Sequence, residues 1–174
     1  IKTTKADLGL QMFMAKHYSK PKGFVGRQLF YQIVYETILY GYIAFGSATR
    51  FLPGRESLSD FHINEGLNNI FYHIEKVVGK YPYRNFTTSA LLAAEAVAII
   101  DYKTKYYDSV KWLETLVELP RTGDLYIKAG YSLVGETHGY TCKRVGGEST
   151  DGWSGKRVWD TENIRPKKVF IKRV

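Results

Sequence analysis

The run WLETLVELPRTGDLYIKAGYSLVGET, residues 112–137, holds three elements in succession. Trp112 to Glu118 alternates in the manner of a strand and closes at Leu119-Pro120-Arg121, because Pro cannot donate to a ladder. Gly123 to Ala129 predicts a short helix stopped by Gly130, and Tyr131 to Thr137 predicts the next strand. Ahead of this run, Phe86 to Tyr106 is the strongest helix, rich in Leu, Ala and Ile. Gln28–Glu36 and Ile38–Ser47, dense in Tyr, Ile, Val and Phe, predict a hairpin, and Asn69–Val78 predicts another strand. Lys5–Tyr18 predicts a helix with Ala6, Leu10, Phe13, Met14 and His17 on one face and Thr4 as its cap. A loop runs from Leu52 to about Gly66, and Val169–Val174 returns as a last strand. This order implies an α/β fold with a mixed sheet and crossover helices.

At 174 residues, with 44% hydrophobic and 24% charged, the chain has a globular composition and the length of one domain. The single Cys142 excludes an intramolecular disulfide framework and a cysteine zinc site, and fits a reducing, cytoplasmic setting. No apolar run reaches the ~18 residues of a membrane span. No signal-peptide pattern opens the sequence, and the absence of an initial Met fits a trimmed start.

The net charge is +8 and the pI about 9.4. Residues 139–174, read as a basic C-terminal extension, carry nine Lys and Arg against four acids. A second patch contains Lys16, Lys20, Lys22 and Arg27 with no acid. Tyr18, Phe24, Tyr140, Trp153 and Trp159 are interleaved with these cations. Cations beside flat rings suit a polyanion with bases to stack on; a solvated basic surface with aromatics in the core accounts for the same composition.

Three places could carry chemistry. Arg84-Asn85 entering the long helix, with Thr87, Thr88 and Ser89, combines unpaired N–H groups, hydroxyls and a cation, which together suit phosphate. The plain alternative is an N-cap by Asn85 or Thr87. Tyr126, on the short helix, could protonate a leaving group or simply pack in the core. His17, at a helix end beside Tyr18, could serve as a base, ligate a metal or complement the helix dipole. Glu114 and Glu118 share a strand face, and Glu118 lies at its carboxyl end, placed for chemistry or for an ion pair with Arg121. His62, His73 and His138 show no metal spacing, and no Walker, dinucleotide or nucleophile-elbow motif is present.

Leu125-Tyr126-Ile127-Lys128-Ala129-Gly130-Tyr131, followed by Val134-Gly135, resembles the last core motif of GNAT acyltransferases. Together with His17-Tyr18-Ser19 and Arg84-Asn85 before its hydroxyls, it resembles the Mom family of phage DNA-modification proteins. Gly123–Gly139 is also similar to a domain of an anti-phage Druantia subunit. The Mom resemblance implies a GNAT-like fold and transfer of an acetamido (carbamoylmethyl) group to adenine N6 in DNA, evading host restriction. It implies catalytic roles for His17, Tyr18, Glu118 and Tyr126, and a donor site at Arg84, Asn85, Thr87, Thr88 and Ser89. DNA would be held by Lys20, Lys22, Arg27, Lys143, Arg144, Lys156, Arg157 and Trp153, in the bacterial cytoplasm. The glycine-rich GNAT pyrophosphate signature is absent, so the donor stays open: acyl-CoA-type or another activated group. Iron held by His17 and Tyr126 is a minor alternative that the resemblance brings. The other readings are a GNAT N-acyltransferase acting on a protein or small-molecule amine, and a non-catalytic nucleic-acid-binding module.

Overall fold

A computed structural model describes residues 1–17, 26–49, 52–54, 63–72, 80–139, 141–145, 156–160 and 164–174. β1 (Lys2–Thr3) leads into α1 (Leu8–Lys16). The helix starts at Asp7 and not at Thr4, because the Asp7 carboxylate accepts from the Leu10 N–H at 3.1 Å. The Thr3 hydroxyl donates to the same carboxylate at 2.7 Å. Thr4 contributes its carbonyl instead, accepting from the Asp7 N–H. The helix closes one residue before His17, whose backbone is extended.

The hairpin is as expected: β2 (Gln28–Tyr35) and β3 (Ile38–Ser47) are joined at Glu36 and Thr37, both with positive φ, as a tight primed turn demands. A bulge leaves Tyr40 without a partner between Leu39, opposite Val34, and Gly41, opposite Ile33. β4 (Gly66–Tyr72) begins three residues earlier than its sequence suggests, after a 3-10 turn at Ile63–Glu65; residues 73–79 lie outside those described. α2 (Phe86–Tyr106), β5 (Trp112–Glu118), α3 (Asp124–Lys128) and β6 (Ser132–Glu136) follow the expected order. β7 (Thr141–Val145) and β8 (Lys156–Asp160) form a separate two-stranded sheet, and β9 (Lys167–Arg173) ends the chain.

The main sheet has the order β1-β2-β3-β4-β5-β9-β6, and all its pairs are antiparallel except β4–β5. The stretch read as a basic extension therefore ends in an interior strand. Val169, Phe170 and Ile171 are buried between β5 and β6. α1 covers one face through Leu10, packed with Phe30, Tyr42 and Ala44. α2 and α3 cover the other through Phe86, Leu91, Ala98 and Tyr126, packed with Leu29, Ile43, Leu113 and Phe170.

Candidate active site at the β4–β5 opening

The parallel ladder between β4 and β5 pairs Gly66 with Trp112, Leu67 with Leu113 and Asn68 with Glu114, and then stops. Past Asn68, β4 continues to pair with β3, and β5 with β9. The two halves of the sheet thus separate toward the carboxyl ends of both strands. This is the kind of break at which open α/β sheets bind ligands.

Side chains tie the apex of the opening together on the α2 face. The Thr115 hydroxyl donates to the Asn69 carbonyl at 3.0 Å, where a further ladder bond would have formed. The Asn69 amide donates to the Tyr131 hydroxyl at 2.7 Å, which donates to Glu95 at 2.8 Å. Lys172 donates to the other Glu95 oxygen at 2.6 Å. This chain reaches from β4 across β5 to β9 and up to α2. Burial, then the Glu95 charge, pushes the Tyr131 phenol far above its ordinary range, so it stays protonated. No motif in the sequence gave a role to Asn69, Glu95 or Lys172, and Tyr131 stood only as the last residue of the GNAT-like run. The available signal was Glu95, a lone acid in the apolar run from Ala90 to Ile100.

Among the described residues, the buried side-chain acceptors without a hydrogen-bond partner are Asn68 Oδ1, Asn69 Oδ1 and Glu118 Oε2. All three lie on the two strands that bound the opening. Buried acceptors are ordinarily paired, so the opening is short of donors. The Asn69 orientation follows from its neighbour: Tyr131 donates to Glu95 and can only accept from Asn69, which turns the Asn69 oxygen elsewhere. Glu118 stands at the end of β5 on the face opposite Asn69; its other oxygen is 4.0 Å from Arg165 Nη1, the ion-pair partner found in place of the expected Arg121.

α2 begins at the same end of the sheet. Tyr72 at the end of β4 pairs with Tyr42, close to the hairpin tip, and Phe86 at the start of α2 packs on Tyr40 at 4.9 Å and Tyr35 at 5.9 Å. The bulge is what brings Tyr40 to this face. Asn85 is left-handed and makes no side-chain cap bond, so the plain capping alternative fails. Arg84, Asn85 and Ser89 are exposed, and Thr87 and Thr88 are half-buried. The main-chain N–H groups of Phe86 and Ser89 bond to Tyr83 and Asn85.

The other expected residues fall as follows. Tyr126 is 9% exposed, edge-on to Tyr131 at 5.4 Å and stacked on Phe170 at 6.1 Å. His17, also buried, ends the helix on the opposite face. The two residues belong to layers on different sides of the sheet. Among the described residues no group of three or more His, Cys, Asp or Glu is placed to hold a metal. The His17–Tyr126 pair therefore does not fit an iron site. Arg27, expected as a DNA contact, is engaged within the protein. Its guanidinium pairs with Asp108, donates to the Tyr102 hydroxyl at 2.9 Å, and lies over the Tyr102 and Tyr106 rings at 5.5 and 5.1 Å. Lys143 and Arg144 lie on β7 and Lys156 and Arg157 on β8, with Arg144 opposite Arg157. Tyr18, Lys20, Lys22 and Trp153 lie outside the described residues.

No family model matches this sequence, and no curated protein matches it. Solved structures do. The chain is similar to the ribosomal L7/L12 alpha-N-protein acetyltransferase RimL, with TM-score 0.50 and 8% identity over 84% of this chain and 70% of that one. It is similar to the microcin C7 self-immunity acetyltransferase MccE, solved with acetyl-CoA and AMP, with TM-score 0.50 and 11% identity over 84% and 61%. It is similar to Mycobacterium smegmatis RimJ, solved with CoA-disulfide, with TM-score 0.50 and 13% identity over 86% and 54%. The chain thus spans less than two thirds of the latter two. These likenesses show the fold: a GNAT acyltransferase fold, with a mixed seven-stranded sheet.

Proposed function

We propose that the protein is a GNAT-type transferase that binds an activated donor in the β4–β5 opening and modifies adenine N6 in DNA. An acyl-CoA donor would leave an N6-acyl group and release the CoA thiol, whereas a carbamoylmethyl-like group requires a donor whose leaving group sits on the transferred methylene carbon. The observation that carries the transferase reading is the opening itself: a parallel pair that stops after three residues, with unpartnered buried acceptors on both of its strands. An extended amide-bearing arm supplies the donors those acceptors lack and can pair with the β4 edge beyond Asn68. The uncapped start of α2, with Arg84 and the Thr87–Ser89 hydroxyls, suits the phosphates of such a donor. The acetyl-CoA and CoA bound by MccE and RimJ are of this chemistry.

His17 and Tyr126 lie in layers on opposite sides of the sheet, so the roles of these residues are those the family resemblance gives them. Glu118 and His17 belong to the α1 face, and Tyr126 to the other. As the new bond to nitrogen forms, the attacking amine loses a proton, for which Glu118 and His17 are the acceptors. The leaving group gains one, for which Tyr126 is the donor. Adenine N6 is a poor nucleophile, so much of the rate must come from positioning. Within a duplex the base would be extruded to reach the opening.

The DNA reading rests on the +8 charge, on the basic positions of β7 and β8, and on the resemblance to the Mom family. An amine on a protein or small molecule is the second reading, favoured by the protein α-amine that RimL acts on. Mass spectrometry of nucleosides from DNA of cells expressing the protein separates them. An added mass on deoxyadenosine is expected. Unmodified DNA, with acetyl transfer from acetyl-CoA to an amine, assigns the second reading. Salt-sensitive DNA binding without calorimetric binding of acetyl-CoA reduces the protein to a nucleic-acid-binding module.

A further inference from the structure

Asn69 is the first residue of β4 past the parallel ladder, and it is fully buried. Only the nitrogen end of its amide has a partner: Nδ2 donates to the Tyr131 hydroxyl, while Oδ1 has none. The amide cannot turn over. Its oxygen would then face the Tyr131 oxygen, whose single proton already goes to Glu95. Glu95 is held in turn by Lys172 on its other oxygen. The chain from Lys172 through Glu95 and Tyr131 therefore leaves the acceptor end of Asn69 free at the apex of the opening.

Beside it on β5, the Thr115 hydroxyl bonds the Asn69 carbonyl in place of a further ladder bond. A ligand end that parts this contact meets three groups at once: Asn69 Oδ1, the Asn69 carbonyl and the Thr115 hydroxyl. The start of α2 lies at the mouth, at the Tyr72 end of β4, three residues or about 10 Å from Asn69. A donor with its phosphates at the mouth sends its reactive end toward the apex. An ammonium buried there needs a counter-charge, and Glu95 is already paired with Lys172. A neutral group with two N–H donors and one acceptor satisfies all three groups: two N–H for the Asn69 oxygens, and a carbonyl for Thr115. That group is a primary carboxamide.

We propose that Asn69 is the specificity-determining residue for the transferred group of the donor, and that it selects a group ending in a primary carboxamide. Glu95 is its positioning residue, acting through Tyr131. The proposal rests on the transferase reading with a coenzyme A-type donor in the opening.

The test uses the full chain and two unreactive coenzyme A thioethers, made by alkylating the thiol with iodoacetamide or with chloroacetone. They differ only in the terminal group, NH2 in the first and CH3 in the second. Calorimetry should show the carboxamide binding tighter by about tenfold or more, since its analogue leaves buried acceptors unmet. Asn69→Leu should bring the ratio close to one. Glu95→Gln should do the same. Lys172 then holds the oxygen of the new amide, whose N–H donates to Tyr131, and Tyr131 donates to Asn69 and turns it over. A purely structural Glu95 would lower the melting temperature and leave the ratio intact, which overturns the positioning role. Equal affinities in the wild type, with coenzyme A itself binding, overturn the proposal and leave the transferase reading standing; this comparison needs no variant to fold. A ratio that survives Asn69→Leu, or an equal loss of both thioethers and of coenzyme A in that variant, also overturns it, the latter in favour of a contact to the arm of the donor. No binding of coenzyme A or of either thioether overturns the donor reading and this proposal together.

Discussion

Removing the Glu95 carboxylate would leave two donors, the half-buried Lys172 Nζ and the buried Tyr131 hydroxyl, without their acceptor. Glu95→Ala is expected to cost about 3–5 kcal/mol, because breaking one partner of a buried pair strands the other charge. The urea midpoint measures it. Pairing Glu95→Leu with Lys172→Met should recover most of the loss, since no charge then stays buried. A lone acid inside an apolar helix is visible in sequence, but its partners are 36 and 77 residues away. Asp7 is the second such residue. Its hydrogen bond from Thr3, with others from Gln32, the Leu10 N–H and Tyr42, lowers its pKa from 3.8 to about 2 against the cost of partial burial. A lowered folded pKa stabilises above the unfolded value and is lost as pH falls through the folded one. The melting-temperature gap between wild type and Asp7→Asn should therefore hold above pH 3.8 and close as the pH approaches about 2.

Elements declared themselves where their pattern was local. The hairpin, α2 and β5 are read almost to the residue, because alternation, helix-forming side chains and a closing Pro need no distant partner. β9 was harder, because five Lys and Arg at 165–173 mask three apolar residues that become interior once β5 and β6 flank them. Arg27 read as surface charge for the same reason: Asp108 and the two tyrosines that hold it come from the far end of α2. The β4–β5 contact depends on one small residue. An added Cβ at Gly66 would land on the Trp112 indole opposite. Gly66→Ala is expected to force the paired part of the ladder open and destabilise by about 1–3 kcal/mol, as overpacking does. Thermal unfolding followed by Trp fluorescence checks this.

Charge acts on the molecule as a unit, but its sites are not equivalent. If DNA is the partner, neutralising Lys143, Arg144, Lys156 and Arg157 should reduce the slope of log K against log salt by about 3–4, from the loss of counterion release. Neutralising Arg27 or Lys172 should instead lower stability and leave that slope largely unchanged, since both cations are already paired inside the protein. Binding titrations across salt concentrations, run beside denaturation curves, distinguish the two groups. No helix among the described residues is long and apolar enough to cross a membrane. The order of strands and helices, the apolar faces and the positive balance were written in the chain, because each depends on neighbours a few residues apart or on composition. Which strands part, which acceptors are left unpaired between them, and which cations are spent on internal partners were settled when distant segments packed. Hydrogen bonds and ion pairs form between groups adjacent in space, and sequence distance carries no record of that adjacency.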